Sequence, residues 1–321
     1  MSDIRTLGSS GLETPGLVLG GNVFGWTAGE ATSFKILDRF IAAGGTMVDT
    51  ADVYSAWIPG HRGGESETVI GRWLKQRRRR DDVLIATKVG MQPGEGGTGL
   101  APARIAAAIE ASLKRLNTDY VDLYYAHQDD AEVPQDAVLE AFDALVRAGK
   151  VRALGASNFS AKRLASALDI SAANGLAAYS VLQPEFNLMT RDRFEGALQA
   201  LCTERNLGVL SYFGLAAGFL TGKYRSVADL AKSQRGARIV PYLTDRGHAV
   251  LGVMDAVAAE TGATLAQIAL AWNATQPGIT APIASATSVA QLDELLAAMT
   301  LKLNTDQIAR LDVASLEQAS P

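Results

Sequence analysis

The sequence predicts an α/β fold closed into a (β/α)8 TIM barrel, and three observations carry that prediction. Short β-rich runs alternate with segments of helical periodicity about eight times along 321 residues, most runs end on a polar residue, and the alternation continues past residue 150 without a Pro- or Ser-rich linker. Strand–helix repeats at a spacing of roughly 25 to 40 residues mark parallel βαβ units, and around eight such units close a barrel. The expectation is therefore one domain over 1–321, with a doubly wound open sheet as the runner-up.

The chain opens on Thr6-Leu7-Gly8-Ser9-Ser10-Gly11-Leu12, two short extended pieces about a Ser-Gly turn, which predicts an N-terminal β-hairpin placed to plug the barrel bottom. Strands are expected at 17–19, 46–49, 83–88 and 121–127, then at 151–157, 180–183, 208–212 and 279–283. Helical periodicity fills the intervals at 30–43, 65–79, 102–116, 134–148, 161–174, 191–205, 247–260 and 289–299. Ser160 stands before the 161–174 helix and Gly175 after it, and Gly149 stands after the 134–148 helix, as capping chemistry requires. Two further helical patterns, 265–275 and 305–316, exceed a strict repeat and predict extra C-terminal helices. Residues 222–246, with Gly222, Gly236 and Pro241, read as a long loop after the seventh strand, and loops of that length are usually functional.

Composition narrows the function classes. Hydrophobic residues make up 48% of the chain, and 30 Lys+Arg against 34 Asp+Glu leave a net charge of −4, so no general positive field exists to attract nucleic acid. The single cysteine, Cys202, excludes an internal disulfide and a paired-cysteine zinc site, and His61, His127 and His248 are too few for a histidine-rich metal cluster. No metal is expected. The first 13 residues lack an apolar signal core and no run approaches 18 uninterrupted apolar residues, so the expectation is a cytoplasmic protein without a membrane partner. Composition leaves the oligomeric state open.

Two patterns invite over-reading. Gly94-Glu95-Gly96-Gly97-Thr98-Gly99 carries a dinucleotide-type glycine spacing, but it lies several residues beyond a strand, so a flexible loop is expected. Arg77-Arg78-Arg79-Arg80 ends a predicted helix and is followed by Asp81-Asp82, which reads as a solvated helix terminus favoured by the macrodipole.

In a β/α barrel the reacting groups collect at the C-terminal strand ends. Those positions hold Asp49, Lys88, His127, Ser157, Asn158, Gln183 and Tyr212, most of them strongly polar after largely apolar runs. Asp49-Thr50-Ala51-Asp52-Val53-Tyr54 leaves enough chain for Tyr54 to fold back over the mouth. A Lys88 ammonium held by Asp49 beside that phenol is expected to lower its pKa and make Tyr54 a proton donor or acceptor, with His127 hydrogen-bonding a substrate oxygen. Such a group moves a proton on an oxygen and does no redox chemistry unaided.

The sequence resembles the aldo-keto reductase superfamily over nearly its whole length, in its bacterial branch related to potassium-channel β subunits. The resemblance rests on Arg5-Thr6-Leu7-Gly8-Ser9-Ser10-Gly11-Leu12, Leu19-Gly20-Gly21, Asp49-Thr50-Ala51 with Tyr54, and Gly64-Glu65-Ser66-Glu67 leading to Gly71. Ala86-Thr87-Lys88, Asp122-Leu123-Tyr124-Tyr125-Ala126-His127, Gly155-Ala156-Ser157-Asn158-Phe159-Ser160, Gln183-Pro184-Glu185-Phe186-Asn187 and Leu220-Thr221-Gly222-Lys223-Tyr224 follow in order. It implies a catalytic tetrad of Asp49, Tyr54, Lys88 and His127, and a nicotinamide cofactor lying across the barrel mouth: NADPH by family habit, NADH as the alternative. Ser157, Asn158 and Gln183 would bind the carboxamide and Tyr212 would stack on the ring, with Gly20, Gly21, Asn22 and Asp49 close by. Phe213, Gly214 and Leu215 would border the pyrophosphate, Lys223 and Arg235 would clasp phosphates, and Ser285, Thr287, Gln291 and Glu294 would hold the adenosine end.

The chain departs from the family pattern at Phe213-Gly214, where Ser-Pro is frequent, at Ser285 for glycine, and at Leu295 for asparagine. The implied activity is reversible reduction of an aldehyde, ketone or sugar carbonyl with Tyr54 as general acid. Phe24, Trp26 and Trp57 would form an aromatic substrate wall, bordered by the 55–64 insertion with Pro59, His61 and Arg62. Two other readings are a cofactor-binding regulatory subunit of the channel-β type with slow turnover, and a barrel aldolase using Lys88 as a Schiff base.

Overall fold

The computed structural model describes residues 4–233 and 236–316. Eight strands form a closed, all-parallel barrel: β3 (Val18–Gly20), β4 (Met47–Asp49), β5 (Leu84–Val89), β6 (Val121–Ala126), β7 (Val151–Ser157), β8 (Tyr179–Gln183), β9 (Gly208–Ser211) and β10 (Ala281–Ala284). β10 closes the ring by pairing with both β3 and β9. The open-sheet alternative is thereby set aside. Two-residue strands β1 (Arg5–Thr6) and β2 (Glu13–Thr14) pair antiparallel as the expected hairpin.

Side-chain alternation along each strand divides the apolar residues into two cores. Val18, Met47, Ala86, Leu123, Tyr125, Ala153, Val181, Leu210, Ala281 and Ile283 point inward and fill the barrel, and the hairpin residues Leu7 and Leu12 close its lower end. The complementary residues, such as Leu19, Val48, Ile85, Tyr124, Leu154 and Val209, face outward against the helices. Gly155 is one place where glycine is required: a Cβ there would sit 2.4 Å from the Tyr125 ring, so the bare backbone makes room for that ring inside the barrel.

The outer layer is α1 (Glu30–Ala42), α2 (Glu65–Arg77), α3 (Pro102–Leu116), α4 (Gln135–Arg147), α5 (Ala161–Asn174), α6 (Ala197–Glu204), α7 (Asp245–Thr261), α8 (Leu265–Thr275), α9 (Val289–Ala298) and α10 (Thr305–Ser315). Ser160 caps α5 through a hydrogen bond from the Arg163 N–H, and Gly175 ends it in the left-handed conformation. No single helix among the described residues is long and apolar enough to cross a membrane.

Several expectations change. The helix predicted over 191–205 is only α6, because Gly196 at φ 87° interrupts it and Arg191 instead turns toward Glu195, Asp312 and Ser315. The 222–246 segment is not structureless: 3-10 turns at Val227–Lys232 and Gly236–Tyr242 are tied down by Tyr224–Ser233 and by the Arg225–Asp255 fork. The arginine run is not simply solvated. Arg77 forks onto Asp82, while Arg80 stacks over Tyr120 and reaches Asp122, a carboxylate buried on β6 that also binds Arg152. Gly94 to Gly99 is a loop, as expected, with Gly94 and Gly97 exchanging backbone hydrogen bonds and Arg104 donating to the Glu95 carbonyl at 3.4 Å.

Candidate active site

The inward parity that fills the barrel continues to its rim. Met47 and Asp49, Ala86 and Lys88, and Val181 and Gln183 are alternate residues of single strands, so the polar groups at the upper ends face the barrel axis above the apolar plug. The structure brings Asp49, Tyr54, Lys88 and His127 together. Lys88 Nζ, fully buried, donates to Asp49 Oδ2 at 2.5 Å, to the Thr50 carbonyl at 2.7 Å and to the Tyr54 hydroxyl at 3.2 Å. An ammonium has three N–H donors and no acceptor, so all three are used and the Tyr54 oxygen is the acceptor. The phenol proton is therefore directed away from Lys88. Asp49 is itself held from the other side by Gln183 Nε2 at 2.9 Å.

The charge states follow from burial and neighbours. Burial pulls the Lys88 ammonium down, but Asp49 and Tyr54 outweigh it and its pKa ends above the usual lysine value. For Tyr54 burial dominates and raises the pKa despite the opposing pull of Lys88, which corrects the expected lowering. Burial, helped by the Lys88 charge, holds His127 well below the usual histidine value, so its imidazole is neutral. His127 Nδ1 is buried without a hydrogen-bond partner. A buried acceptor without a partner costs less than a buried N–H without one, which selects the Nε2–H tautomer and makes His127 a neutral donor. A Schiff-base lysine must be neutral and reachable; Lys88 is neither, which disfavours the aldolase reading.

The Tyr54 loop is fastened to the first turn of α2. The Ser66 N–H reaches the Tyr54 carbonyl at 3.3 Å, and the Glu65 carboxylate accepts from the N–H groups of Ser55, Arg62 and Gly63 at 3.1, 2.7 and 3.0 Å. Ser55 Oγ meets His61 Nδ1 at 2.9 Å. The sequence marked the 55–64 insertion as a pocket border and Glu65 as part of a motif; the role of Glu65 in fastening the loop was not anticipated, although a carboxylate opening a helix after Gly63-Gly64 is a readable sign of a captured loop.

On the opposite side of the mouth the proposed carboxamide residues are already bonded to one another. Ser157 Oγ donates to the Gln183 carbonyl at 2.9 Å, Asn158 Nδ2 donates to the His127 carbonyl and to Ser157, and the Tyr212 hydroxyl donates to Asn158 Oδ1 at 2.7 Å. Phe213 packs edge-on to Tyr212, and Asn187 binds its carbonyl. Gly214 approaches Leu270, and Leu215 packs on the outer core. At the seam of β10 and β3, Ser285 donates to Asn22 Oδ1 at 2.7 Å. A Cβ on Gly20 would meet Ser285 Oγ at 2.4 Å, and one on Gly21 would meet the Asp49 carbonyl at 2.9 Å. Thr287 is bonded by Gln291, Glu294 lies on α9 with its carbonyl toward Gln267, and Lys223 lies exposed over the Tyr224 ring. Arg235 lies outside the described residues.

Trp57 sits edge-on to both Tyr54 and Trp26, with ring centroids 5.7 and 5.8 Å apart, and is 40% exposed. Phe24, the third residue of the expected wall, is fully buried in the outer core.

Comparisons with known proteins agree with this geometry. The chain is 33% identical over 315 residues to the uncharacterized oxidoreductase YrpG of Bacillus subtilis (strain 168), covering 95% of this chain and 94% of the relative. It is 31% identical over 316 residues to norsolorinic acid reductase B of Aspergillus parasiticus, covering 93% and 80%. It is 32% identical over 304 residues to a probable voltage-gated potassium channel subunit beta of Arabidopsis thaliana, covering 92% and 90%. The model of the aldo/keto reductase family matches residues 16–315, and with the buried Asp49–Lys88–Tyr54 chain at the mouth of a closed barrel, the protein belongs to that family.

Proposed function

We propose that the protein is an NADP(H)-dependent oxidoreductase that reversibly reduces an aldehyde, ketone or sugar carbonyl, with Tyr54 as the general acid. Membership of the family supports a carbonyl-reducing oxidoreductase. The observation that carries the finer reading is the donor arrangement at Lys88: its third N–H ends on the Tyr54 oxygen, so the phenol proton is available to a substrate oxygen. Neutral His127 donates to the same oxygen and orients the carbonyl. Developing negative charge on Tyr54 is stabilised by the Lys88 ammonium, and Asp49 keeps that ammonium charged and in place.

The residues present suit a nicotinamide cofactor. A carboxamide presents two N–H donors and one carbonyl acceptor, and Ser157, Asn158 and Gln183 supply hydroxyl and amide groups that can meet both kinds beside the Tyr212 ring. When bound, the nicotinamide supplies or takes up the hydride. Binding exchanges part of the Ser157–Asn158–Tyr212 network for contacts to the carboxamide. Residues 285–295 hold no Lys or Arg, and Arg39 is engaged there with Asp293 at 2.8 Å. The reading of NADPH therefore rests on cations of the 222–246 segment: Lys223, Arg235, and Arg238, which is exposed with no carboxylate in ion-pair reach among the described residues.

The test is steady-state kinetics over a panel of aldehydes, ketones and aldoses, with titration of both cofactors by fluorescence quenching. Carbonyl-dependent oxidation of NADPH, and NADPH binding at least about tenfold tighter than NADH, are the expected results. No turnover across the panel overturns the enzyme reading, and equal affinity overturns the NADPH reading. The resemblance to the Arabidopsis subunit keeps a second reading in view: tight cofactor retention, slow turnover and a co-purifying channel chain would favour a regulatory subunit.

A further inference from the structure

Behind the Tyr54 loop lies a buried ionic cluster that the proton chain does not use. Asp52, 2% exposed, accepts from Arg104 Nη2 at 3.0 Å through Oδ2, while its Oδ1 is buried without a partner. Arg104 comes from α3 and is 6% exposed; its Nε donates to the Gln92 carbonyl at 3.0 Å in the loop after β5. Gln92 in turn donates to the Arg62 carbonyl at 2.9 Å. Gly63 is wedged between these parts: a Cβ there would lie 2.8 Å from the Asp52 carbonyl and 3.2 Å from the Gln92 side chain. One guanidinium thus joins the start of the Tyr54 loop to the loop that follows Lys88, and Gln92 carries the connection to the far end at Arg62.

We propose that Asp52 and Arg104 form a proton-controlled latch that positions the Tyr54 loop, closed when Asp52 is ionised and loosened when it is protonated. Asp52 and Arg104 are positioning residues, since neither belongs to the Asp49–Lys88–Tyr54 chain. The groups around Asp52 are Glu67 from α2, Arg104 and Arg115 from α3, Tyr124 from β6, and Tyr54 on its own loop. Glu67 is already satisfied by Thr87 and Arg115, so Arg104 is left as the cation assigned to Asp52. Burial, and then the Glu67 charge, raise Asp52 against the pull of Arg104 and Arg115 to about 7. Its proton therefore exchanges in the range where an enzyme of this kind works. Losing the ionised carboxylate removes the charge-assisted part of the Arg104 bond while leaving the weaker carbonyl contacts.

The inference about activity rests on the proposed carbonyl reduction, so the deciding measurement is hydrogen exchange, which needs no turnover. Backbone amide exchange of the intact protein is followed at about pH 6 and pH 8, corrected for intrinsic rates, over segments 52–65 and 90–99. In the unmodified protein those amides are expected to exchange about three- to tenfold faster at the lower pH. Asp52→Asn should abolish that difference, Arg104→Ala should give fast exchange at both pH values, and Arg104→Lys should restore part of the protection. His61→Gln, beside Ser55, should leave the pH difference in place. Persistence of the pH difference in Asp52→Asn, or full protection in Arg104→Ala, overturns the latch. In parallel, kcat for NADPH-dependent reduction of 4-nitrobenzaldehyde should fall toward low pH in the unmodified protein and not in Asp52→Asn. Absence of all reduction speaks against the proposed function and leaves the exchange result to decide the latch.

Discussion

Lys88 donates to the Tyr54 hydroxyl at 3.2 Å from a position with no exposure to solvent, its other two protons being committed to Asp49 and the Thr50 carbonyl. The contact sets the direction of the phenol proton and also charges the environment into which a phenolate would form. Loss of the Tyr54 oxygen should therefore be chiefly a chemical defect, with a stability cost of about 1–3 kcal/mol from the third Lys88 N–H left unpaired. Tyr54→Phe keeps the ring against Trp57 and is expected to lower kcat by about 10²–10⁴-fold, with cofactor affinity within about twofold, as read by single-turnover kinetics and fluorescence titration. Retention of near-full rate would remove Tyr54 from the role of acid.

Removing the cation should be worse than removing the phenol. Lys88→Met leaves Asp49 buried and uncompensated, and deleting one partner of a buried pair typically costs about 3–5 kcal/mol. Urea unfolding should show that loss, and Asp49→Asn combined with Lys88→Met should recover part of it. A loss no larger in the single variant than in the double would show that Asp49 has another neutralising partner.

The pH dependence has a definite sign. Reduction needs the protonated phenol, and burial raises Tyr54 above its ordinary value of 10.0, so its alkaline limb lies beyond pH 10. His127 is held well below 6.5 and stays neutral above that pH. With Asp52 replaced by Asn, kcat for reduction should be flat between about pH 6.5 and 9, whereas alcohol oxidation, which needs phenolate, should rise with pH. A reduction limb near pH 8 in that variant would show that Lys88 outweighs burial at Tyr54.

Glu65 offers a stability measurement of the same loop. Burial alone would raise its carboxyl, but the N–H groups of Arg62, Glu65 and Ser55 bring it below its ordinary 4.5. A lowered carboxylate contributes stability that is present above its unfolded value and is lost as pH falls through the folded one. Glu65→Gln should therefore be less stable at pH 7, with the difference closing as pH falls below the ordinary 4.5. A pH-independent difference would point to lost packing.

Gly155→Ala tests the interior. Its Cβ would fall 2.4 Å from the Tyr125 ring inside the filled barrel, so a loss of about 1–3 kcal/mol is expected by thermal or chemical unfolding. A neutral result would mean that the ring can move.

The barrel was legible because its signal is local and repeated. Period-two alternation along β4, β5 and β8 places Asp49, Lys88 and Gln183 on the face already occupied by Met47, Ala86 and Val181, and apolar runs ending in polar residues mark the rim. The first turn expected at Arg191 and the solvated end assigned to Arg80 were misread for one reason. Arg191 and Arg80 find partners about 120 and 40 residues away, respectively, and no window of sequence contains them.

Chain order and periodicity sufficed to determine the number of βα units, the plugging hairpin and which strand-end residues face the axis, since each depends on residues close in sequence. Tertiary packing decided the charge states and the fastening of the Tyr54 loop. The direction of the Tyr54 shift depends on how much solvent the loop excludes, a property of surface buried rather than of neighbours in the chain. Arg104 reaches Asp52 across 52 residues only because α3 packs beside the strand ends, and no local pattern in the sequence anticipates that contact.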